Sequence, residues 1–580
     1  MTSNFIEIND LTFAYPRTRK NIFENLNIAL GRDVHTVALL GKDGSGKSTL
    51  LKLLFNLVSP QRGEVLINGT IAYRHSDMFL KQVSYMPQEA FLYQELTVIE
   101  NLVLSYELKT QGEADLEHLY GLLDHVGLLK FKDFKVNQLS GGMKQKIGLL
   151  CTIVHEPKIL ILDEPTVGVD PISRHDLWEI INDFLDEESY CIFSTAYLEE
   201  AQEADACIII SDDGVLSFEV GPLIRQYSDI CYSIEADDYL EAYFALLHLD
   251  FEKYFVDLSV REGKINFILN QGISAGQARS FVSRALNGKR FRMSRRTTTL
   301  EDVYLKLLKK EPYNISVEHH SQDSDDEQTV ISLTNVKKAF GSFVAVDNTT
   351  FDVKKKEIFG LLGPNGAGKT TTFRMMCALL DQTGGRILVN GQNLKKAKSQ
   401  VRAQIGYVSQ KFSLYTKLTC YQNIEYFAKS YGINNAELGR RLDELMAIFE
   451  IKEYLDVMAK DIPFGTQREL SMVSALLHRP QILFLDEATS GADIVARRKL
   501  WLILNLLKEQ GVTVIITTHF LEEAEFCDRF LIQSRGEIIC IGRPDEICLD
   551  SRKRRISVHQ LFIDKVKEQE RQYGKDSRIT

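Results

Sequence analysis

Each half of the chain contains a short apolar run that ends in two acidic residues. The runs cover residues 159–164 (Ile-Leu-Ile-Leu-Asp-Glu) and 482–487 (Ile-Leu-Phe-Leu-Asp-Glu). Segments that are apolar at every position over this length are typical of parallel strands buried on both faces. Because ligands bind at the carboxyl ends of such strands, the pattern predicts an acidic pair at the mouth of a crevice in each half.

Upstream of each run, strand-like alternation leads into a glycine-rich turn and then a helix. The turns are residues 41–48 (GKDGSGKS) and 363–370 (GPNGAGKT), and the helices are predicted over residues 49–55 and 371–380. Strand, glycine-rich turn and helix in this order form a phosphate loop, in which successive backbone N–H groups surround the phosphates. The sequence therefore predicts two nucleotide sites.

The residues of these motifs recur at nearly constant spacing. The two loop lysines are 322 positions apart (369 − 47 = 322), and the aspartates that follow the apolar runs are 323 apart (486 − 163 = 323). Motifs that keep register over such distances indicate two homologous domains. The matched pairs are Lys47 with Lys369, Gln88 with Gln410, Asp163 with Asp486, and Glu164 with Glu487.

Phosphate loops of this kind bind the phosphates of a nucleotide together with Mg²⁺. The lysine reaches the β- and γ-phosphates, and the hydroxyl of Ser48 or Thr370 supplies a Mg²⁺ ligand. Asp163 and Asp486 also hold Mg²⁺, directly or through water, and the next residue in each domain, Glu164 or Glu487, is the predicted general base. The predicted nucleotide-binding loop residues are Gly41, Lys42, Asp43, Gly44, Ser45, Gly46, Lys47, Ser48 and Thr49, and Gly363, Pro364, Asn365, Gly366, Ala367, Gly368, Lys369, Thr370 and Thr371.

The region between the two domains has a different pattern. It predicts strand 231–234, helix 239–247, strands 254–260 and 264–269, helix 275–286, strand 290–294 and helix 300–308. The βαββαβ order suggests a small ferredoxin-like unit. The predicted domains are a first nucleotide-binding domain (1–221), an accessory α/β unit (222–312), an acidic flexible linker (313–328), a second nucleotide-binding domain (329–548) and a basic tail with a C-terminal helix at 558–566 (549–580).

Composition and charge disfavour several other classes of function. The net charge of −10 disfavours a protein that wraps nucleic acid. The nine cysteines show no zinc spacing, which indicates free thiols in a reducing compartment. No apolar run approaches the roughly 18–20 residues of a membrane span. We expect a cytoplasmic chain that reaches a membrane only through a partner, although the basic run 552–555 is either a solvated surface or a contact with anionic lipid.

One further motif occurs in full only in the first half. Residues 139–145 read LSGGMKQ, whereas the matching residues 462–468 read IPFGTQR. A phosphate loop, a glutamine after a strand, this signature stretch and an Asp-Glu-Pro run together resemble the nucleotide-binding domain of ATP-binding-cassette (ABC) proteins. Residues 85–98 and 299–304 resemble the ATPases of ABC-2-type exporters. The tandem form without a membrane domain is similar to YbhF-like export ATPases.

The resemblance implies an α/β fold with two P-loop NTPase (ABC ATPase) domains. Each has a mixed sheet and a helical signature subdomain, and the ferredoxin-like unit lies between them in sequence. It also implies head-to-tail pairing, in which the phosphate loop of one domain and the signature stretch of another hold one ATP. The resemblance further implies that Gln88 and Gln410 coordinate Mg²⁺ and that Tyr15 and Phe340 contact adenine. It implies that Ser140, Gly141 and Gly142 contact phosphate and that His519 contacts the γ-phosphate. Gln410 and His519 are also implied to be catalytic.

The departures from the family pattern all fall on one of the two implied ATP sites. Pro463 stands where the family has serine, and Phe464 where it has glycine. Ala196 stands where the second domain has His519 (519 − 196 = 323). We expect the site built on the first phosphate loop to bind ATP and turn it over slowly, and the site built on the second to hydrolyse it, since losing one oriented donor costs about 10²–10³ in rate.

The resemblance also implies two ABC-2-type transmembrane permease subunits as partners, so that the chain would attach peripherally to the cytoplasmic face of the plasma membrane. Phe91, Tyr93, Phe412 and Tyr415 match the region that receives the permease. The implied activity is ATP hydrolysis coupled to efflux of a drug or other small molecule. The alternatives are a tandem ABC ATPase acting on the ribosome and, less favoured, a DNA-repair ATPase. Pairing of the two domains within one chain or between chains stays open.

Overall fold

The structure is a computed structural model. It describes residues 4–16, 21–42, 44–67, 69–71, 81–88, 91–211, 214–247, 251–308, 328–410, 412–490, 492–518, 520–550 and 552–576. The chain forms two compact units, Met1–Asp229 with Thr297–Lys309, and Ile230–Arg296 with Lys310–Thr580. The predicted acidic linker lies outside the described residues except for Gln328. None of the described helices has both the length and the apolar composition needed to cross a membrane.

The first domain contains two sheets. In its six-stranded sheet five neighbouring strands are parallel and one edge strand is antiparallel. The spatial order is Gly214–Glu219, Ala206–Ser211, Thr36–Gly41, Tyr190–Ser194, Ile159–Asp163 and Val83–Met86. An antiparallel sheet packs on it, in the order Phe23–Leu30, Ile6–Phe13, Arg62–Ile67 and Thr70–Ile71.

The second domain repeats this architecture. Its six-stranded sheet has the order Ile405–Val408, Ile482–Asp486, Thr513–Thr517, Ile358–Leu362, Arg529–Ser534 and Glu537–Gly542. Its antiparallel sheet has the order Phe343–Lys354, Thr329–Phe340, Gly384–Val389 and Gln392–Asn393. All five residues of each apolar strand, Ile159–Asp163 and Ile482–Asp486, are buried, which explains why both strands are apolar up to the aspartate.

Several helices also occur in matched pairs, and in two of these pairs the same residue type begins both helices. Thr97 and Thr419 each form a capping box with the residue three positions later. Asp170 accepts hydrogen bonds from the backbone N–H and the hydroxyl of Ser173, and Asp493 accepts them from two backbone N–H groups of the first turn. The first-domain helices are Lys47–Leu54, Val98–Thr110, Leu116–His125, Gly141–Ile153, Pro171–Phe184, Leu198–Gln202 and Val220–Gln226. The second-domain helices are Lys369–Met376, Leu394–Arg402, Cys420–Ser430, Asn435–Met446, Phe464–Leu476, Ile494–Glu509 and Pro544–Ile547.

The accessory unit has the ferredoxin-like arrangement. Its four antiparallel strands lie in the order Phe255–Arg261, Lys264–Leu269, Cys231–Ala236 and Phe291–Arg295, with helices Tyr239–Leu247 and Ala275–Ala285. Alternate strand residues such as Ile234, Leu258 and Phe267 join the helices in one apolar core. The helix Leu300–Leu307, predicted as its last element, packs instead on helices Leu198–Gln202 and Val220–Gln226 of the first domain.

The tail differs from the sequence-based expectation in two ways. Its helix is longer than predicted and covers Val558–Asp576. The basic run before it is tied to the protein, because Arg554 pairs with Asp550 at 2.8 Å and Arg555 pairs with the buried Glu525 at 2.9 Å. These two arginines therefore have structural partners, and the run is not a uniformly solvated surface.

Candidate functional site

The two phosphate loops have the same backbone geometry. Gly46 and Gly368 each stand just before the helix with left-handed φ angles of 108° and 96°. A Cβ on Gly46 would lie 2.8 Å from Ile22 Cγ2, and one on Gly368 would lie 2.4 Å from the Ala345 carbonyl oxygen. Both the dihedral angle and the close packing therefore require glycine.

The loop lysines are buried and turn back over their own loops. Lys47 Nζ donates to the carbonyl oxygens of Gly41 at 3.0 Å and Lys42 at 3.3 Å. Lys369 Nζ donates to those of Gly363 at 2.6 Å and Pro364 at 2.9 Å. In each domain the ammonium group is thus held at the mouth of the loop, where a nucleotide phosphate would take over part of its hydrogen bonding.

In the first domain, the strand Tyr190–Ser194 lies between the phosphate-loop strand and the acidic strand. Its last residue, Ser194, forms hydrogen bonds with both acidic residues. Ser194 Oγ donates to Asp163 Oδ1 at 2.7 Å and accepts a hydrogen bond from Glu164 N at 2.8 Å. Ser48 Oγ donates to the same aspartate oxygen at 3.0 Å. A hydroxyl and a carboxylate oxygen therefore converge beside the phosphate loop, as the donor set of a Mg²⁺ site requires.

The second domain uses a threonine in the same place. Thr517 Oγ1 donates to Asp486 Oδ1 at 2.9 Å and accepts from Glu487 N at 2.8 Å. Burial raises the pKa of Asp486, although the Thr517 hydrogen bond opposes that shift. Burial and the nearby Asp486 raise the pKa of Tyr407 to about 12, so this phenol stays protonated.

Each predicted general base is held by the predicted glutamine of its own domain. Gln88 Nε2 donates to Glu164 Oε2 at 2.7 Å, and Gln410 donates in the same way to Glu487. Glu164 and Glu487 have left-handed φ angles of 49° and 50°. Such angles are uncommon outside glycine and cost energy, so their recurrence at both positions marks a shared functional constraint.

In each domain, a buried glutamate accepts hydrogen bonds from two threonines. One threonine follows the general base by two residues, and the other immediately precedes residue 196 or 519. Glu523 accepts hydrogen bonds from Thr489 at 2.9 Å and from Thr518 at 2.5 Å. In the first domain, Glu200 accepts from Thr166 at 2.7 Å and from Thr195 at 2.5 Å. Burial raises the pKa of Glu523 to about 6 and also raises the pKa of Glu200.

The two signature stretches differ in how their helices begin. Ser140 caps the helix Gly141–Ile153, and its side chain accepts from Met143 N at 3.4 Å. Gly142 is in tight contact, since a Cβ there would lie 3.0 Å from Ser173 Oγ. Pro463 precedes the helix Phe464–Leu476 and makes no side-chain cap hydrogen bond. The second stretch also ends in Arg468, which donates to the carbonyl oxygens of Ala488 and Ser490.

Among the remaining predicted residues, the structure describes the two aromatic residues that were expected to contact adenine. Tyr15 is half-buried, and its hydroxyl lies 3.4 Å from Thr49 Oγ1 on the phosphate-loop helix. Phe340 is 49% exposed, with Lys338 Nζ 4.9 Å from its ring centre. Asp43 and His519 lie outside the described residues.

Several residues of the site escaped the sequence-based prediction. Ser194 and Thr517 orient the acidic pair, and Glu200 and Glu523 tie the surrounding loops together. The signal that could have found them is the repeat itself, because both pairs keep the same spacing as the predicted aspartates (517 − 194 = 323 and 523 − 200 = 323).

The comparisons with known proteins agree with this geometry. The family model described as "ABC transporter" matches residues 23–167 and 346–490. The chain is 36% identical over 554 residues, 94% of each chain, to "Probable multidrug ABC transporter ATP-binding protein YbhF" of Escherichia coli (strain K12). The chain belongs to the ABC transporter family. Each nucleotide-binding domain is an ABC cassette, and the protein is an ATP-hydrolysing ABC ATPase.

Other relatives of this ABC ATPase match one cassette or both. "Linearmycin resistance ATP-binding protein LnrL" of Bacillus subtilis (strain 168) is 36% identical over 240 residues, which are 41% of this chain and 76% of that protein. A putative ABC transporter ATP-binding protein of Saccharolobus solfataricus is 26% identical over 567 residues, 94% of each chain. The tandem cassette arrangement therefore occurs in two of these three relatives.

Proposed function

We propose that this ABC ATPase drives an ABC-2-type exporter and that its two ATP sites are unequal. The observation that carries the inequality is the contrast between the two signature helices. Ser140 caps its helix, whereas Pro463 offers neither a hydroxyl nor a backbone N–H. By contrast, the two acidic centres are built alike, each with its glutamine, hydroxyl, aspartate and glutamate.

The residues of the second cassette would carry the fast reaction. Lys369 and the loop N–H groups would bind the phosphates, and Gln410 would orient the attacking water with Glu487. Glu487 would accept the proton of that water as the water attacks the γ-phosphate, because its carboxylate is fixed by Gln410 and its backbone by Thr517. The intact stretch Ser140–Gly142 of a paired first cassette would complete this site.

The oxygen donors beside each loop fit a Mg²⁺ ion. Ser48 with Asp163 in the first cassette, and Thr370 with Asp486 in the second, would hold it, with Gln88 and Gln410 alongside. When bound, Mg²⁺ would neutralise the charge that develops on the β- and γ-phosphate oxygens. The ATP-binding positions of both loops, together with Tyr15 and Phe340 at the adenine, stay part of this proposal.

The slow site would combine the first phosphate loop with the altered stretch. Pro463 and Phe464 replace its serine and first glycine, and Ala196 replaces the histidine that the second cassette has at 519. This site would bind ATP and turn it over slowly.

Exposed aromatic side chains support a docking surface for two permease subunits. Phe91 is 87% exposed, Tyr93 60% and Tyr415 48%. The backbone of Tyr93 exchanges two hydrogen bonds with the Asn101 side chain, and the backbone of Tyr415 does the same with Asn423. Exposed aromatic side chains on a hydrogen-bonded backbone are suited to a protein interface. This surface would hold the ATPase at the cytoplasmic face of the plasma membrane.

The names of the relatives favour a drug or other small molecule as the exported substrate. The test is purification of the tagged chain from native membranes. We expect polytopic permease subunits to co-purify, and Phe91→Ser with Tyr415→Ser to reduce their recovery. Leu216→Ser is the matched control, because Leu216 is also an exposed apolar residue but lies on the edge strand Gly214–Glu219. Co-purification of ribosomal proteins in place of permeases would contradict the proposal.

A further inference from the structure

The segment Leu521–Phe526 begins two residues after His519 and has two differently occupied faces. On the inner face, Glu523 accepts hydrogen bonds from Thr489 and Thr518. Thr489 lies two residues after Glu487, and Thr518 immediately precedes His519. A movement of this segment would therefore be transmitted to both sides of the second cassette's reaction centre.

The outer face of the segment is held by the accessory unit. Glu525 is only 2% exposed. Its carboxylate accepts hydrogen bonds from Gly263 N at 3.2 Å and from Arg555 Nη2 at 2.9 Å, and its backbone oxygen accepts from the Tyr239 hydroxyl at 3.1 Å. Tyr239 and Gly263 belong to the accessory unit, and Arg555 to the tail. Two contacts to the buried carboxylate and one to the backbone oxygen of the same residue hold Glu525 firmly.

Glycine at 263 is required by this arrangement. Its φ angle is +68°, and a Cβ there would lie 2.2 Å from Arg555 Cζ. The guanidinium also stacks on the Tyr239 ring, with 4.8 Å between Cζ and the ring centre. The accessory unit and the tail thus meet around one side chain of the second cassette, which is Glu525.

Further charged contacts reinforce the attachment. Arg261 of the accessory unit pairs with Glu522 at 3.3 Å, and Arg497 of the cassette pairs with the same glutamate at 3.6 Å. Arg498 pairs with Asp257, and both side chains are largely buried. Removing one partner of the buried Arg498–Asp257 pair would leave an uncompensated buried charge, which is strongly destabilising.

An aromatic contact completes the interface. Phe526 packs against the accessory core, with its ring 5.7 Å from Tyr243 in an edge-on arrangement. On its other side Phe526 stacks on Trp501 of the cassette, with 5.4 Å between the ring centres. The segment is therefore held between the accessory unit and the rest of the second cassette by apolar as well as charged contacts.

The first cassette repeats the inner face but has a different outer contact. Glu200, Thr166 and Thr195 match the inner residues of the second cassette in position and bonding. At the outer position Gln202 takes the place of Glu525 (525 − 202 = 323). Its side chain accepts a hydrogen bond from Leu300 N, which begins the helix Leu300–Leu307. In the second cassette, by contrast, the matching outer position contacts the accessory unit.

We infer that the accessory unit is a positioning device for ATP hydrolysis by the second cassette, and that it acts by holding Leu521–Phe526 through Tyr239, Gly263 and Arg261. The inference rests on the proposed function for its expectation that the second cassette performs the fast hydrolysis. Tyr239, Arg261, Glu525 and Arg555 are positioning residues, since they act through Glu523 and the threonines.

The test uses the full-length chain with two mild substitutions. Tyr239→Phe removes one hydroxyl, and Glu525→Gln installs the residue of the first cassette while keeping an acceptor for Gly263 N. We expect each substitution to lower kcat for ATP hydrolysis by about 10-fold and to leave KM for ATP unchanged. A small displacement of the segment Leu521–Phe526 would change the orientation of the reacting groups more than the binding of the phosphates. Both are also made in a Glu164→Gln background, so that turnover by the second cassette is measured.

Rescue and control variants distinguish positioning from general damage. Arg555→Lys should retain more kcat than Arg555→Ala, because an ammonium can still pair with Glu525. Glu241→Gln is the matched control: it removes an exposed ion pair with Lys289 inside the accessory unit and should leave kcat unchanged. Thermal unfolding midpoints confirm that each variant is folded.

A readout that does not depend on turnover separates this inference from the proposed function. The chain has two tryptophans, so in a Trp178→Phe background the fluorescence of Trp501 reports on Phe526. We expect Tyr239→Phe and Glu525→Gln to shift this emission and to speed hydrogen exchange over residues 513–526. Unchanged emission, exchange and kcat would overturn the inference and leave the proposed function standing. Full activity in Glu487→Gln would overturn the proposed function, whereas shifted emission and faster exchange would still show that the accessory unit holds the segment.

Discussion

Gln88 donates a hydrogen bond of 2.7 Å to Glu164, and Gln410 makes the same bond to Glu487. Both glutamates have φ angles near +50°, the values being 49° and 50°. Their geometry therefore does not distinguish the two cassettes, and a difference in turnover must come from the residues that complete each site.

The first prediction compares the two general bases. We expect Glu487→Gln to lower the steady-state ATPase rate by about 10²–10³, because under the proposed function it removes the base from the site that hydrolyses ATP fast. Glu164→Gln should lower the rate by no more than about 3-fold, since the proposed function assigns slow turnover to that site. Phosphate release by the purified chain measures both. Equal losses in the two variants would show that the sites are equivalent.

The second prediction restores the altered site. We expect Pro463→Ser with Phe464→Gly and Ala196→His to raise the low ATPase rate of a Glu487→Gln chain by about 10-fold, because each change returns a donor or removes a steric block. Pro463→Ser alone should also stabilise the helix Phe464–Leu476 by about 1 kcal/mol through a new N-cap. A restored chain that stays as slow as its Glu487→Gln parent would locate the defect elsewhere.

The third prediction concerns a hydroxyl that orients the acidic pair. Thr517 Oγ1 donates to Asp486 and accepts from Glu487 N. Thr517→Val keeps the side-chain shape but removes both bonds, so kcat should fall by about 10-fold and the Mg²⁺ concentration for half-maximal rate should rise. Thr517→Ser keeps the hydroxyl, matches Ser194 of the first cassette, and should retain most activity. Similar rates for the two variants would exclude this role.

The fourth prediction is a pH dependence of stability. Burial raises the pKa of Glu357 from 4.5 to about 7, while its hydrogen bond from Lys354 N and the nearby Arg529 oppose the shift. The folded state therefore binds the proton more tightly than the unfolded state, and stability falls as pH rises from about 4.5 to about 7. The full loss is about 3 kcal/mol above that range.

Glu357→Gln tests this prediction, because glutamine keeps an acceptor for Lys354 N without titrating. The unfolding midpoint of the wild-type chain should decrease relative to that of the variant as the buffer is changed from about pH 5 to about pH 8. Differential scanning calorimetry over this range supplies the midpoints. Parallel curves for the two proteins would show that Glu357 ionises normally.

Much of the site could be predicted from the sequence because its parts are contiguous. Each phosphate loop and each acidic strand is written in a single stretch, and the repeat spacing of 322 or 323 linked them before any fold was known (369 − 47 and 486 − 163). The six elements of the accessory sheet and its helices were also predicted within two residues of their observed ends. Local patterning was sufficient there because each element has one clearly apolar face.

The predictions were wrong or incomplete where long-range packing decides. The helix beginning at Val558 continues to Asp576, and its interior is polar enough that the hydrophobic pattern ended early. Arg555 is held by a buried carboxylate 30 positions away, which a basic run alone cannot indicate. Ser194 and Thr517 are two further examples. In the sequence each is only a polar residue at the end of a strand, and it bonds to the aspartate because the two strands lie side by side.

The sequence by itself determined that this protein has two ABC cassettes and that only one signature stretch is intact, because these properties lie in short motifs and their repetition. Only the tertiary structure decided that the accessory sheet belongs to the same compact unit as the second cassette. Gly263 and Tyr239 meet Glu525 across 262 and 286 positions of chain. Contacts that distant leave no periodic trace in the sequence, since they depend on how whole domains pack rather than on local pattern.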